Sequence, residues 1–99
     1  MAIRLRPAFV DDLTEAFSYL AERSPSAADQ LLDRAETLLE MLSDFPLLGR
    51  SRDALARGLR SIRIQGFPHL VFYRVDDGDI VAVRLLHGAR RLRRSQFAG

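Results

Sequence analysis

The spacing of apolar residues differs between the two halves of this chain of 99 residues. From residue 9 to about Asp44 the apolar side chains recur every three or four positions, which is the period of an amphipathic helix. After Gly58 they form short runs rich in branched residues, which are typical of strands. A helical half followed by a strand-rich half predicts an α+β fold, with the helices on one side of a mostly antiparallel sheet.

Two helices are predicted in the first half. Apolar residues at helical spacing cover residues 9–23. Ser24 and Pro25 then supply an N-cap and a proline at the first helical position, and a second apolar stripe continues to about Asp44. Because so few residues separate the two helices, we expect an antiparallel helical hairpin.

Four strands are predicted around this hairpin. Residues 3–6 alternate apolar and basic side chains, as a half-buried strand does, and Pro7 ends the pattern. A polar connector covers residues 50–57, and three more strands follow at residues 59–64, 70–75 and 80–86. The predicted order is β-α-α-β-β-β in one domain over residues 1–99, with the early strand joining the later three in a four-stranded sheet.

A tight turn is predicted between the last two strands, because glycine readily adopts the positive φ that such hairpins need. A two-residue loop at residues 77–78 pairs Val75 with Ile80. Regular alternation would then place Arg84 on the same face as Tyr73. A bulge of one residue would reverse this grouping.

The composition excludes several classes of site. The chain has no cysteine, so a disulfide, a thiolate zinc site and a cysteine nucleophile are all ruled out. Two histidines far apart in the sequence argue against a metal site, and nothing indicates a cofactor. The sequence shows no signal peptide and no apolar run of the ~20 residues that span a bilayer, so we expect a cytoplasmic protein without membrane contact.

Charge is divided unevenly along the chain. Residues 1–45 contain four arginines and nine acidic residues, whereas residues 46–99 contain eleven arginines and four aspartates. An anionic partner would therefore bind the second half. All fifteen basic residues are arginine, which genomic base composition can explain without any function, but which also removes every mechanism that needs lysine.

Short stretches spread over nearly the whole chain carry a family resemblance. They include Asp12-Leu13 and Phe17 in the first helix, Ala28 and Leu31-Leu32 in the second, Phe45-Pro46 with Gly49, Gly58-Leu59-Arg60, residues 67–75 (FPHLVFYRV) and residues 83–90 (VRLLHGAR). In this order and spacing they resemble the ParE/RelE superfamily of bacterial toxins, most closely its ParE branch. The architecture of that superfamily is also β-α-α-β-β-β.

The resemblance implies a type II toxin that forms a hetero-oligomer with an antitoxin, usually of the ParD kind. Toxins of the ParE branch act on DNA gyrase, stabilising its cleaved-DNA complex, and use no small-molecule substrate. Toxins of the RelE branch cut messenger RNA on the ribosome. Both branches share one fold, so the fold alone does not choose between them.

The residue types favour the ParE branch, in which the toxin is not an enzyme. The RelE type of nuclease uses lysines, arginines and a tyrosine near the C-terminus, but this chain has no lysine and no tyrosine after Tyr73. Arginine is a poor base, which leaves His69 and His87 as proton carriers. The alternative is an endoribonuclease centred on His87 and Arg90. A third possibility is a non-toxic partner of the antitoxin.

Two sets of candidate contact residues follow. The target-binding candidates are the basic side chains Arg60, Arg74, Arg84, His87, Arg90, Arg91, Arg93 and Arg94. Each has a simpler explanation: a solvated strand face, a structural histidine or a solubilising tail. The antitoxin-binding candidates are apolar residues at edges or off the main helical stripe, namely Phe9, Tyr19, Leu47 and Leu48.

Overall fold

Two helices and five strands make up the computed structural model, which describes residues 2–98. Strand β1 (Ile3–Leu5) precedes helices α1 (Pro7–Ala21) and α2 (Pro25–Asp44). The later strands are β2 (Arg50–Ser51), β3 (Arg60–Arg63), β4 (His69–Asp76) and β5 (Asp79–His87), and a short 3-10 turn (Arg94–Phe97) comes last. No helix within residues 2–98 combines the length and the apolar character needed to cross a membrane.

The helical hairpin is confirmed, and its boundaries follow from the residues at the helix ends. The Ser24 hydroxyl accepts a hydrogen bond from the Ala27 amide at 3.3 Å, and Pro25 begins α2. Helix α2 ends at Asp44, just before Phe45 and Pro46. Since proline has no amide hydrogen to donate, the helix could not continue through Pro46.

The sheet has five strands, in the order β1-β5-β4-β3-β2, where four were predicted. The additional strand is β2, inside the segment predicted to be a polar connector. Its two residues, Arg50 and Ser51, pair antiparallel with β3. A two-residue strand is too short to show alternation, which explains why the sequence pattern missed it. Strand β1 pairs parallel with β5, and the other pairs are antiparallel.

The hairpin between β4 and β5 contains a bulge. Val75 pairs with Ile80, as predicted, and positive φ angles at Asp77 and Gly78 form the turn. The register then shifts by one residue, so that Phe72 pairs with Arg84 while Tyr73 pairs with Ala82. The expectation from regular alternation, which grouped Arg84 with Tyr73, is therefore wrong.

Apolar side chains fill both sides of the sheet. The side facing the helices buries Phe9, Leu31, Leu42, Tyr73 and Ile80, among others. The other side buries Leu59, Phe72, Val83, Leu86 and Phe97. This second core is closed by residues 88–98, which we call the C-terminal strap. The basic sequence of residues 88–99 predicts a short helix or a loose tail, and Arg94–Phe97 do form a short 3-10 helix. The strap docks on the sheet through Phe97, whose ring centroid lies 4.7 Å from that of Phe72.

Candidate functional site

A cleft of ≈ 410 Å³ lies between α1 and the paired ends of β4 and β5. It combines acidic, aromatic and basic side chains from three elements and the strap. Helix α1 contributes Glu15 and Tyr19, the strands contribute His69 and His87, and the strap contributes Arg90. The two nuclease candidates, His87 and Arg90, therefore line one cleft together with His69.

The β-bulge brings the two histidines together. His69 and His87 are direct partners in the ladder, with ring centroids 5.6 Å apart in an edge-on arrangement. Without the extra residue in β5, Leu86 would face His69 instead. Within residues 2–98 there is no group of three or more His, Cys, Asp or Glu side chains that could hold a metal ion. The pair is thus suited to proton transfer or hydrogen bonding rather than to metal ligation.

The two imidazoles have different surroundings. Burial lowers the pKa of His69, and the neighbouring His87 lowers it further, so His69 is neutral at pH 7. The Nδ1 atom of His69 is buried and has no hydrogen-bond partner among the described residues. In His87, Nδ1 accepts the Ala89 amide at 3.1 Å, which leaves the proton of the neutral ring on Nε2.

Asp12 organises the edge of β5 beside this cleft. Strand β1 leaves β5 at Ala82, so the Leu85 amide has no strand beside it and donates to Asp12 Oδ2 at 2.9 Å. Arg84 makes a bidentate pair with the same carboxylate at 2.7 and 2.9 Å, and its Nη1 donates to the Gln96 carbonyl. The hydrogen bonds with Asp12 raise the pKa of Arg84, although burial opposes the rise. Because Arg84 bonds to Asp12 and Gln96 inside the fold, it has a structural role, and its assignment as a target contact stays a prediction.

The other predicted target-binding arginines fall into two groups. Arg60 is half-buried, and its Nη1 donates to the Gly49 carbonyl at 2.7 Å, which ties β3 to the loop after α2. Arg74 lies on β4, paired with Val81. By contrast, the four arginines of the strap are exposed, and none forms an ion pair within residues 2–98: Arg90, Arg91, Arg93 and Arg94.

Three of the four predicted antitoxin contacts are exposed. The exposed fractions are 58% for Tyr19, 67% for Leu47 and 49% for Leu48. Phe9, however, is 0% exposed and belongs to the core between helices and sheet. Its prediction as a surface contact is wrong, since α1 begins at Pro7 and its first turn already packs on the sheet.

A second groove, of ≈ 480 Å³, was missed by the sequence reasoning. It lies between the edge strand β1 and α2. Its apolar lining includes Ile3, Leu5, Leu32 and Leu39, and the acidic residues Glu36 and Glu40 also line it. The alternating apolar residues of β1 suggested a half-buried strand, but all three residues of β1 are exposed. The apolar side chains of β1 could have indicated this groove, because a small domain has few elements available to cover an edge strand.

Comparison with known proteins points to one family. The family profile described as the ParE toxin of type II toxin-antitoxin systems, parDE, matches residues 3–92. Toxin ParE3 of Caulobacter vibrioides is 37% identical over 91 residues, which cover 91% of this chain and 88% of that protein. Toxin RelE2 of the same organism is 34% identical over 79 residues, covering 80% of this chain and 85% of the relative.

A solved structure shares the fold. It is described as a chromosomal ParDE toxin-antitoxin system from P. aeruginosa, and it superimposes with a TM-score of 0.75. The superposition covers 88% of this chain and 95% of the other, at 17% sequence identity. At this identity the likeness establishes the two-helix, mostly antiparallel architecture and nothing finer.

Proposed function

This chain belongs to the ParE toxin family of type II toxin-antitoxin systems, and from that premise we propose that it inhibits DNA gyrase in the cytoplasm and is neutralised by a ParD-like antitoxin. The inhibition would proceed through binding contacts, without chemistry by the toxin itself. The observation that carries this proposal is the similarity to a toxin of the ParE type along 91% of the chain.

The burial of Tyr73 supports a binding role rather than a catalytic one. Tyr73 is fully buried, and its hydroxyl donates to the Pro46 carbonyl and accepts the Gly49 amide, both at 2.8 Å. It therefore cannot contact a substrate. Tyr19, the only other tyrosine, lies on α1 and lines the cleft of His87 and Arg90, whereas the strap contains no tyrosine. The toxin would instead present its exposed arginines to the gyrase complex.

The groove between β1 and α2 suits an antitoxin. Its apolar lining fits the apolar face of an amphipathic segment, and Glu36 and Glu40 would attract basic residues on that segment. Tyr19, Leu47 and Leu48 are further exposed apolar residues on the helical side of the fold. The antitoxin contact is thus proposed to extend from the groove over the helical hairpin.

A second candidate function is ribosome-dependent cleavage of messenger RNA. The His69–His87 pair with Arg90 in one cleft favours it, as does the similarity to a toxin of the RelE type. Neutral His69 would accept the 2′-hydroxyl proton as the oxygen attacks phosphorus. His87 would donate its Nε2 proton to the 5′-oxygen as the P–O5′ bond breaks, and Arg90 would hold the phosphate. A third candidate is a non-toxic partner of the antitoxin.

Two parallel assays separate the three candidates. The purified chain is incubated with gyrase, ATP and supercoiled plasmid, and separately with translating ribosomes and messenger RNA. We expect cleaved plasmid trapped with gyrase and intact messenger. Cut messenger with unaffected gyrase would establish the nuclease instead, and inactivity in both assays would leave the non-toxic partner.

The variant His87→Gln sharpens this comparison. Glutamine is polar and of similar size but cannot carry a proton, so we expect gyrase trapping to remain within about threefold of the wild type. RNA cleavage, if it occurred, would fall by about 100-fold or more, the usual cost of losing a general acid or base. Gln30→Ala serves as the control, because Gln30 is an exposed residue of α2 that does not line the cleft.

A further inference from the structure

The exposed surface of the C-terminal strap is cationic and lacks large apolar side chains. Arg90, Arg91, Arg93 and Arg94 are exposed. Among residues 2–98, all the large apolar residues that are exposed lie between Ile3 and Val75. Within the strap itself, Leu92 is half-buried and Phe97 is buried. Protein interfaces usually centre on buried aromatic or aliphatic anchors, and the strap offers none to a partner.

The strap arginines extend from an ordered segment. Phe97 is 2% exposed and packs against Phe72 on the sheet. The Arg93 amide donates to Gln96 Oε1 at 2.6 Å, and the Gln96 carbonyl accepts from Arg84. Arg94 Nε donates to the Ala54 carbonyl at 3.1 Å, which joins the strap to residues 50–57. The strap is thereby held against the sheet from Arg93 to Phe97, so its arginines need little further ordering of the chain to bind a partner.

The neighbouring segment, residues 50–57, adds positive charge. It contains three arginines and one aspartate, while residues 88–98 contain four arginines and no acidic residue. The single aspartate, Asp53, accepts the Gly58 amide at 2.8 Å, and this hydrogen bond is the main cause that lowers the pKa of Asp53. The two joined segments therefore contain seven arginines and a single carboxylate. That carboxylate, of Asp53, is already used as a hydrogen-bond acceptor in the turn at Gly58.

We propose that the strap and residues 50–57 bind the phosphate backbone of duplex DNA directly. A duplex is favoured over a single strand because the rings on this side, Phe72 and Phe97, are buried and cannot stack on bases. It is favoured over an acidic protein because the strap has no apolar anchor. Helices α1 and α2 pack on the side of the sheet opposite Phe97, so most of their acidic residues lie away from the strap. Asp12 and Glu15 line the cleft beside Arg90, but Asp12 is already paired with Arg84. DNA would therefore meet mainly positive charge on the strap and residues 50–57.

This inference goes beyond gyrase inhibition, since it concerns DNA in the absence of gyrase. The test is the fluorescence anisotropy of a labelled 20-base-pair duplex, titrated with the full chain at salt concentrations from 50 to 200 mM. The test variant is R90Q/R91Q/R93Q, which keeps Arg94 and its bond to Ala54. The matched control, R4Q/R23Q/R34Q, removes three exposed arginines from β1, the turn between the helices and α2, and it changes the net charge equally.

We expect the wild type to bind with a strong salt dependence. Losing three phosphate contacts should lower the slope of log K against log salt by about 2.7 in the strap variant, at ~0.9 per contact. The control should keep the wild-type slope. If both variants lost the same amount of this slope, net charge alone would explain DNA binding, and the proposal would be overturned.

Three other outcomes would also overturn it. These are no binding by the wild type at 50 mM salt, tighter binding of a single strand of the same length, and displacement of the duplex by polyglutamate at equal charge concentration. Circular dichroism of both triple variants verifies folding. The gyrase assay is run separately on the strap variant, so that loss of DNA binding and loss of gyrase trapping are scored independently.

Discussion

Among single residues, Tyr73 does most to join the helical half of the chain to the sheet. Its ring is fully buried in the core, and its hydroxyl satisfies both the Pro46 carbonyl and the Gly49 amide in the loop after α2. A Cβ at Gly49 would lie 2.7 Å from the Tyr73 ring, so glycine is required at that position. The loop that follows α2 is thus shaped by a strand residue 24 positions later in the sequence.

Tyr73→Phe should therefore destabilise the fold while keeping its core packing. The change leaves a buried amide and a carbonyl without their partner, and we expect the free energy of unfolding in urea to fall by about 1–3 kcal/mol. Tyr19→Phe, at an exposed position, is the control and should change it by less than about 0.5 kcal/mol. Equal stability of the two variants would contradict the structural role of the hydroxyl.

The pH dependence of Tyr73→Phe provides a second measurement. Burial raises the pKa of Tyr73, although the Gly49 amide and Arg60 oppose the rise. The unfolded chain therefore loses this proton at a lower pH than the folded chain does. The contribution of Tyr73 is complete below about pH 10 and is lost as the pH rises through the folded-state value. The stability gap between the wild type and Tyr73→Phe should consequently narrow above pH 10.

At the level of elements, the strap depends on one anchor. Phe97 fills the second core against Phe72, while the remaining strap contacts are mainly hydrogen bonds. Phe97→Ala should release the strap without unfolding the sheet, because a terminal segment can detach locally. Hydrogen exchange at residues 93–97 should lose its protection, and trypsin should cut after Arg91, Arg93 and Arg94 faster than in the wild type.

The control for this variant is Phe45→Ala, since the Phe45 side chain is 63% exposed. It should leave both measurements unchanged. A buried Phe→Ala change costs about 3–5 kcal/mol in a closed core, and detachment of the strap should keep the loss of global stability below that range. Unchanged protection at residues 93–97 would mean that hydrogen bonds alone hold the strap.

Sequence patterns predicted both helices and four of the strands, and they missed β2 and the docking of the strap. Pro25 and Pro46 mark the limits of α2 directly, because proline acts on the local backbone. Strand β2 and the docked strap leave no such mark, since both exist only through pairing or packing with distant residues. The prediction that Phe9 is an exposed contact was wrong for a related reason, because the burial of Phe9 depends on how α1 lies on the sheet.

At the scale of the whole molecule, the cleft between α1 and the ends of β4 and β5 also depends on pairing between distant residues, which local sequence patterns do not predict. His69 and His87 are 18 positions apart, and only the bulge opposite the Phe72–Tyr73 step makes them partners. No residue type marks that bulge in the sequence. The division of charge between the two halves, by contrast, was visible in the sequence. In the structure the acidic half forms the helical side of the fold, and Phe97 docks the strap on the other side of the sheet. Arg90 lies where the two sides meet, in the cleft beside α1.

The separation of the acidic helical side from the basic strap leads to a prediction about where the antitoxin binds. The groove between β1 and α2 is apolar with acidic residues beside it, so an additional carboxylate there would be both poorly solvated in a complex and repelled by Glu36 and Glu40. Leu32 lines this groove and is 37% exposed, which should allow Leu32→Asp to fold. We expect its affinity for the proposed ParD-like antitoxin to fall by about 100-fold, or about 3 kcal/mol, in calorimetry.

Val75→Asp is the matched control, because Val75 is 40% exposed and lies at the end of β4, outside the groove. It carries the same change in charge and a similar change in polarity, and it should bind the antitoxin as the wild type does. Equal weakening of both variants would show that net charge, rather than the groove, governs antitoxin binding. Normal binding by Leu32→Asp would place the antitoxin elsewhere on the helical side, with Tyr19, Leu47 and Leu48 as the next residues to replace.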